Sequence, residues 1–369
     1  MLIANTYLVF LVNLLAGVVF GVVLYRGDYC MAGMFRDAFL FRDFTLLRSL
    51  YLLVTVSMVL FFTARLAGLL PFYPPPPYSG PSLMGLAGGF IFGVGMVLAG
   101  GCVVGTLYKM ASGNLANLIG FFGIITGSLL YAEIHPIFSH LYKTYQIGRY
   151  ITLYDLSPGI EAAFTGVFVL FSLTVFLRWK KKGIWDVKAY AVGYLKPWKA
   201  GVIIALLNLL VYILSGWPMG ITTGYAKIGA YFEKALWPSH YARVLYFQSP
   251  SVRVDTGDVV LEGGASARFD IITASEVSLI IGVILGAFLI SLFYREFRVY
   301  GLPPLRQTIS AFTGGMMIAI GARVASGCNV KFVLGGLGIL SFQALLFVPA
   351  MTIGAYLGAI ILKKVVIKV

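Results

Sequence analysis

The sequence predicts an all-α polytopic membrane protein, and three observations predict it. Of 369 residues, 59% are hydrophobic and only 11% charged, under half the roughly 25% charge of a soluble domain. Mean hydropathy is +0.90 over the whole length, which leaves no room for a sizeable water-soluble domain. Finally, the apolar residues fall into about nine runs near the ~20 residues that a helix needs to cross a bilayer. The expected architecture is about nine transmembrane helices with re-entrant helix-loop-helix hairpins in a pseudo-two-fold inverted repeat.

The runs are taken in order. Residues 7–25 are too long for a signal-peptide core and no small-residue cleavage site follows, so they read as a helix. A second run spans 46–70 and stops at the proline-rich, Lys- and Arg-free connection 71–82. Runs 83–98 and 114–132 flank a glycine-rich stretch, and 159–178 is closed by Arg178, Lys180, Lys181, Lys182, Lys188, Lys196 and Lys199. The second half holds 200–215, 276–294, 308–322 and 335–362. Its connection 230–275 has balanced charge and strand-like stretches such as Ser251-Val-Arg-Val-Asp. Domain boundaries follow: 1–158 is one half, 159–199 a connector helix with a basic loop, and 200–369 the other half with an insertion around 230–275.

The net charge of +14 is loop charge that orients the chain. The basic residues sit between apolar runs and form no polar face for nucleic acid. With the N-terminus outside, 18 of the 28 Lys and Arg residues fall inside and 10 outside, so N-out and C-in in the plasma (inner) membrane is the expected topology.

An internal repeat underlies the two halves. Gly88-Gly89-x5-Gly95-x3-Ala99-x-Gly101-Cys102 recurs as Gly314-Gly315-x5-Gly321-x3-Ala325-x-Gly327-Cys328 at identical spacing. A fainter pair aligns Gly27 with Gly216 and sets Met219 opposite Cys30. A displacement of five spans inverts topology, the plan of many transporters.

Each motif interrupts an apolar run with glycine, and irregular backbone inside a bilayer survives only when buried in protein or lining a cavity. A hairpin turning on Gly100, Gly101 and Gly327 would offer helix N-termini, whose free N–H groups and positive dipole end favour an anion. All three cysteines, Cys30, Cys102 and Cys328, fall in such breaks. Cysteine is also an ordinary small core residue, but two of the three stand at equivalent repeat positions. A neutral thiol is a weak donor and polarizable acceptor suited to a sulfur-bearing ligand. Their odd number, without a C-x-x-C pair, argues against a disulfide framework.

Other residues carry weaker readings. Arg26, Asp28, Arg36 and Asp37 flank Cys30 and serve either to steer an anion or as an interfacial ion-pair cluster. Arg323 and Lys331 bracket Cys328, either as intramembrane charges with a function or reaching the outer surface. The three histidines, His135, His140 and His240, fall in outside connections, so haem or zinc chemistry lacks ligands. Neither a cofactor nor a metal is expected, and no catalytic residues. Tyr25, Tyr108, Trp179, Trp198 and Trp217 read as interface anchors.

At these residues the chain resembles the YeeE/YedE family of membrane proteins, through Arg26-Gly-Asp-Tyr-Cys30-Met-Ala-Gly-Met-Phe-Arg36-Asp37, Gly93-Val-Gly-Met-Val-Leu-Ala-Gly-Gly-Cys102 and Ala325-Ser-Gly-Cys328. The resemblance implies thiosulfate uptake by a nine-span inverted repeat. It also implies that Cys30, Cys102 and Cys328 pass the anion onward through S–H···S contacts without covalent attack. A selenium compound is the alternative substrate within the same family. A separate TusA-like sulfur-carrier protein on the cytoplasmic side is the implied protein partner, since no such domain is fused here. A membrane thiol redox enzyme is the alternative from another class, disfavoured by cysteines 72 and 226 residues apart.

Overall fold

The computed structural model describes residues 5–185, 189, 191–255, 260–299 and 301–367. Lys188 and Lys368, part of the charge balance above, lie outside the described residues. In chain order the helices are α1 (Thr6–Gly27), α2 (Met31–Phe41), α3 (Thr45–Leu66), α4 (Met84–Leu98), α5 (Val103–Ala111), α6 (Leu115–Thr144), α7 (Leu153–Leu156), α8 (Pro158–Lys181), α9 (Pro197–Ser215), α10 (Thr222–Leu236), α11 (Pro238–Tyr241) and α12 (Leu245–Gln248). A hairpin of β1 (Pro250–Asp255) and β2 (Val260–Gly264) follows, then a π-helical turn Thr273–Val277 leading into α13 (Ser278–Phe293). The chain closes with α14 (Leu305–Val324), a π-helical segment Val330–Gly336, and α15 (Phe342–Ile361).

Eight of these segments are long and apolar enough to cross a bilayer, among them Thr6–Phe41, Met84–Ala111 and Phe342–Ile367. The chain is a multi-pass, all-α membrane protein. The remaining expected run, 308–322, does form a helix, α14, but Arg306, Gln307 and Arg323 dilute its apolar character.

Three boundaries differ from the hydropathy reading. The second run ends at Leu66 rather than 70 because Gly68 turns the chain in a left-handed conformation (φ 68°), the usual stop just past a helix end. The fourth run continues to Thr144, since Glu133, His140 and Lys143 keep the helical turns going after the apolar stretch stops. His135 and His140 therefore lie in α6 and not in a connection. The last run starts at Phe342 because Val330–Gly336 is wound as a separate short segment behind Cys328. Ser251–Asp255 is a strand as expected, paired antiparallel with β2. Just ahead of α3, Asp43 accepts the Thr45 backbone N–H, a bond that holds its carboxyl below the usual range.

Glycines set the packing. In a membrane no hydrophobic force draws helices together, so close backbone approach through small residues does. Gly88 of α4 lies on Gly321 and Ala325 of α14, and Gly314 of α14 lies on Gly95 and Ala99 of α4. Ser310 closes the same contact by donating to the Leu98 carbonyl at 2.9 Å. The two helices therefore run antiparallel, and residues 226 apart in sequence make the same contact with their roles exchanged. Each helix has a parallel partner: Gly123 and Gly127 of α6 lie on the Phe312 and Met316 carbonyls, while Gly354 and Gly358 of α15 lie on those of Phe90 and Val94. A second set packs α1 against α13, through Gly17 and Gly21 on the Leu279 and Val283 carbonyls, and α3 against α9, through Ser49 on Gly201 and Phe61 on Tyr212.

By contrast, α8 is attached along one edge only. The Arg65–Glu161 ion pair and the Tyr51–Ser172 hydroxyl bond hold it, and Phe164, Val167, Leu170 and Phe171 face outward. At the other side of the molecule the β-hairpin is tied to α10 by buried Lys227, which donates to Asp270 at 2.7 Å and to the Gly264 carbonyl at 3.0 Å.

Candidate functional site

The three cysteines occupy the breaks of three helical segments. α1 stops at Gly27, Asp28 turns the chain in a left-handed conformation (φ 42°), and Cys30 is the residue from which α2 starts. Cys102 is likewise the N-cap of α5, its Sγ accepting the Gly105 N–H at 3.4 Å. Cys328 precedes Val330–Gly336, its carbonyl accepting Phe332 N–H at 2.8 Å. All three are free thiols and fully buried.

Tertiary packing brings them together. The sulfurs of Cys30 and Cys102 converge on Gly105, and Asn329, the residue after Cys328, lies beside Cys102. The same Asn329 donates from Nδ2 to Met31 Sδ at 3.0 Å, while its Oδ1 is buried without a partner. Gly105 makes the thiol contact sterically feasible, because a Cβ there would fall 2.5 Å from Cys30 Sγ. Since α4 and α14 are antiparallel, the Cys102 and Cys328 breaks hang from opposite ends of that pair.

The glycines at the breaks stand there for two different reasons. Of the expected trio only Gly100 is left-handed (φ 70°), and its repeat equivalent is Ser326 (φ 63°). Gly101 and Gly327 are needed for space instead. A Cβ on Gly101 would meet Asn117 Oδ1 at 2.8 Å and Thr106 Oγ1 at 2.9 Å, two buried polar atoms without partners. A Cβ on Gly327 would meet the Phe332 ring and Lys331 Cδ at 2.7 Å. Each left-handed residue also has its carbonyl bonded by a lysine from the following segment: Lys109 Nζ to Gly100 at 3.0 Å, and Lys331 Nζ to Ser326 at 2.6 Å. An ammonium thus sits beside each break.

Next to Gly327 opens a cavity of about 420 Å³, ample for a small oxyanion, lined among others by Arg323, Lys331, Glu276, Tyr246, His135 and Trp217. The Arg323 guanidinium donates to Thr223 Oγ1 and Tyr246 OH, leaving Nε and Nη2 buried and unpartnered. Both cations that bracket Cys328 in sequence therefore line one chamber. The residues flanking Cys30 divide. Arg26 is consumed in a buried clamp with Glu296, the Gly193 carbonyl and the Tyr194 and Tyr294 rings. Arg36 pairs with Asp37 at 2.7 Å, and Asp28 accepts Tyr108 OH at 2.8 Å. Met219, expected opposite Cys30, lies in the longer turn 216–221 ahead of α10, where its N–H bonds Asn208 Oδ1 at 2.9 Å.

Lys109, Asn329, Tyr225 and Glu276 escaped the sequence reading. Lys109 was indistinguishable from loop charge, and Tyr225, which donates to the Val103 carbonyl at 2.6 Å, looked like any core aromatic. Asn329 and Glu276 did carry a signal: Asn329 directly follows the Cys328 motif, and Glu276 opens an apolar run, where an ionisable residue is a default functional candidate in a membrane protein. His240, set aside for want of further ligands, lies with Glu133 and Glu233 so that one ligand atom from each is within 4.8 Å of the others.

Comparison with known proteins places this arrangement among relatives. Residues 26–357 match the family model described as Sulphur transport. The thiosulfate transporter TsuA of Escherichia coli is 27% identical over 356 residues, covering 93% of this chain and 92% of its own length. That of Spirochaeta thermophila is 28% identical over 339 residues, covering 90% and 92%. The probable transporter YedE of Escherichia coli is 25% identical over 169 residues, covering 46% and 41%.

Proposed function

The chain belongs to the Sulphur transport (YeeE/YedE) family, and from that premise we propose that it imports a small sulfur-containing anion, thiosulfate first among them. The observation that carries this reading is the alignment of a cation-lined chamber with three buried thiols. Arg323 and Lys331 stand at the chamber, Cys328 lies behind it with Asn329 bridging to Cys102, and Cys102 meets Cys30 with Lys109 nearby. The relatives named thiosulfate transporter match this chain over nearly its whole length.

On this reading the anion sheds water at the chamber against Arg323 and Lys331. It then moves along Cys328, Cys102 and Cys30 by non-covalent S–H···S contacts. Neutral thiols suit that role: each donates a weak hydrogen bond to a terminal sulfur or oxygen, and none repels the anion as a thiolate would. The halves 1–158 and 200–369 form a pseudo-two-fold inverted repeat joined by α8 and the basic loop, with 230–275 inserted in the second half. The exchanged Gly88–Gly321 and Gly95–Gly314 contacts support that symmetry, as does the equivalence of Gly100 with Ser326. The short segments behind Cys102 and Cys328 are the inner arms of re-entrant hairpins. The N-terminus lies outside the plasma membrane and the Lys- and Arg-rich 178–199 connection inside, where a separate TusA-like carrier would accept the delivered sulfur.

The deciding experiment is growth on thiosulfate of a sulfate-uptake mutant expressing this chain. Growth restored by the wild type and lost in a Cys102→Ser, Cys328→Ser double variant supports the path. Growth sustained by the double variant would remove the thiols from it. The thiol–thiol contact of Cys30 and Cys102 is the one observation favouring a redox enzyme instead; a Cys30–Cys102 disulfide trapped during turnover would establish that alternative.

A further inference from the structure

A carboxylate stands where an incoming anion would be held. The first turn of α10 begins at Thr222 after Ile221, which supplies no side-chain cap, so its leading N–H groups have no partner within the helix. Glu276 fills that vacancy from a different element. Its Oε2 accepts the Gly224 N–H at 2.8 Å and the carboxylate is also bonded by the Thr223 N–H. On the other side Glu276 Oε1 is packed against Gly220, where a Cβ would fall at 2.9 Å.

The surroundings are built for a negative group. Arg323 donates to the Thr223 hydroxyl at 3.2 Å, next to the same helix turn, and still has Nε and Nη2 buried without partners. Backbone N–H groups, a helix dipole and a guanidinium with spare donors together make an oxyanion site. That site opens on the cavity beside Gly327. Glu276 itself rides on the π-helical turn Thr273–Val277, a wide turn of the kind that recurs at functional positions. Nothing in the packing of α10 requires a carboxylate: a serine or asparagine ahead of Thr222 would cap the helix locally.

We infer that the first turn of α10 with Arg323 is an oxyanion subsite at the mouth of the path, and that Glu276 is its tethered occupant, which an incoming divalent anion must displace. This rests on the anion-transport reading above. The two negative groups cannot share the donors. Protonation of Glu276 removes the competing charge, so anion binding strengthens as the pH on the chamber side falls. The charged and titratable groups facing Glu276 are Arg323 of α14, Lys331 and Cys328 of the segment after it, Lys227 of α10 and Tyr246 of α12, with His135 of α6 lining the same cavity. Lys227 is already paired with Asp270, which leaves Lys331 and His135 as the groups to be separated from Glu276 by experiment.

The test is calorimetric titration of the purified full-length protein with thiosulfate and with sulfate, from about pH 8 down to about pH 5. Wild-type Kd should tighten by about tenfold over that range, the factor expected when a site goes from open one-tenth of the time to always open. Glu276→Gln, which keeps an acceptor for Gly224 but never the charge, should bind at every pH as the wild type does at the acid end. Glu276→Asp, His135→Gln and Lys331→Arg should all keep the pH dependence. A Glu276→Gln variant with the wild-type pH profile, or with weaker binding throughout, would overturn the inference; so would loss of the profile in His135→Gln or Lys331→Arg. If Glu276→Gln does not accumulate, a pH-independent wild-type Kd overturns it equally. Transport is read separately in proteoliposomes. A wild type that binds with this profile but moves no thiosulfate refutes the transport reading and leaves the subsite standing, whereas uptake by a Glu276→Gln protein of unchanged affinity refutes the subsite alone.

Discussion

Gly100 and Gly101 are adjacent in sequence yet are glycine for different reasons. Gly100 holds φ at 70° with nothing within 4 Å of a Cβ. Gly100→Ala should therefore cost roughly 1–2 kcal/mol, the strain of a left-handed residue, and leave most uptake in place. Ser326, left-handed at the equivalent position, already shows that a side chain can be carried there. Gly101→Val drives its side chain into Asn117 and Thr106, and Gly327→Val into Phe332 and Lys331. Both should abolish thiosulfate uptake per molecule inserted, measured with labelled anion in membrane vesicles. Cys102→Ser keeps shape and a hydroxyl but loses polarizability, and we expect it to remove most uptake without lowering the amount in the membrane. Glycine and cysteine recurring at one spacing single these residues out in the sequence. The cause is not legible there, because φ and free space depend on neighbours such as Asn117 that are remote from the motif.

At the scale of elements, the α4–α14 crossing decides whether the breaks face each other. Gly88 and Gly314 occupy equivalent places in it, each with carbonyl or amide atoms of the other helix where a Cβ would go. Gly88→Leu and Gly314→Leu should each destabilise by at least the ~1–3 kcal/mol of an overpacked core, by similar amounts, read as the drop in thermal unfolding temperature of the detergent-solubilised protein. Unequal effects, one variant near wild type, would argue against the exchanged contact. Every expected apolar run became a helix, whereas shorter elements such as α2, α10 and the second strand of the hairpin fall between the runs and were not expected. The ends of the runs were less legible. Hydropathy records where apolar residues stop, whereas α6 carries on to Thr144 through polar helix formers and α15 begins only at Phe342 once the Cys328 segment is closed.

For the whole molecule the testable property is orientation. The native cysteines are at most 2% exposed, so a single new surface cysteine can be probed without background from them. Val192→Cys, in the basic connection, should react with a membrane-impermeant maleimide only in inside-out vesicles, and Tyr150→Cys, between α6 and α7, only in right-side-out ones. The reverse pattern would overturn the N-out topology. Lys181→Ala should leave uptake intact, since its charge orients the chain and lies far from the thiols in the fold. By itself the sequence determined the class of protein, the places of the long apolar runs, and the recurring glycine–cysteine motif with the breaks in which the cysteines fall. Each of these rests on composition and on periodicity along one chain. Only the tertiary structure decided which breaks meet. It set Cys30 against Cys102, turned Arg323 and Lys331 into one chamber, bound Arg26 away in a clamp with Glu296, and laid Glu276 across the start of α10. The physical reason is that side chains from helices far apart in sequence share one low-dielectric interior, where each polar group must find a partner, and hydropathy along the chain carries no record of which partner that is.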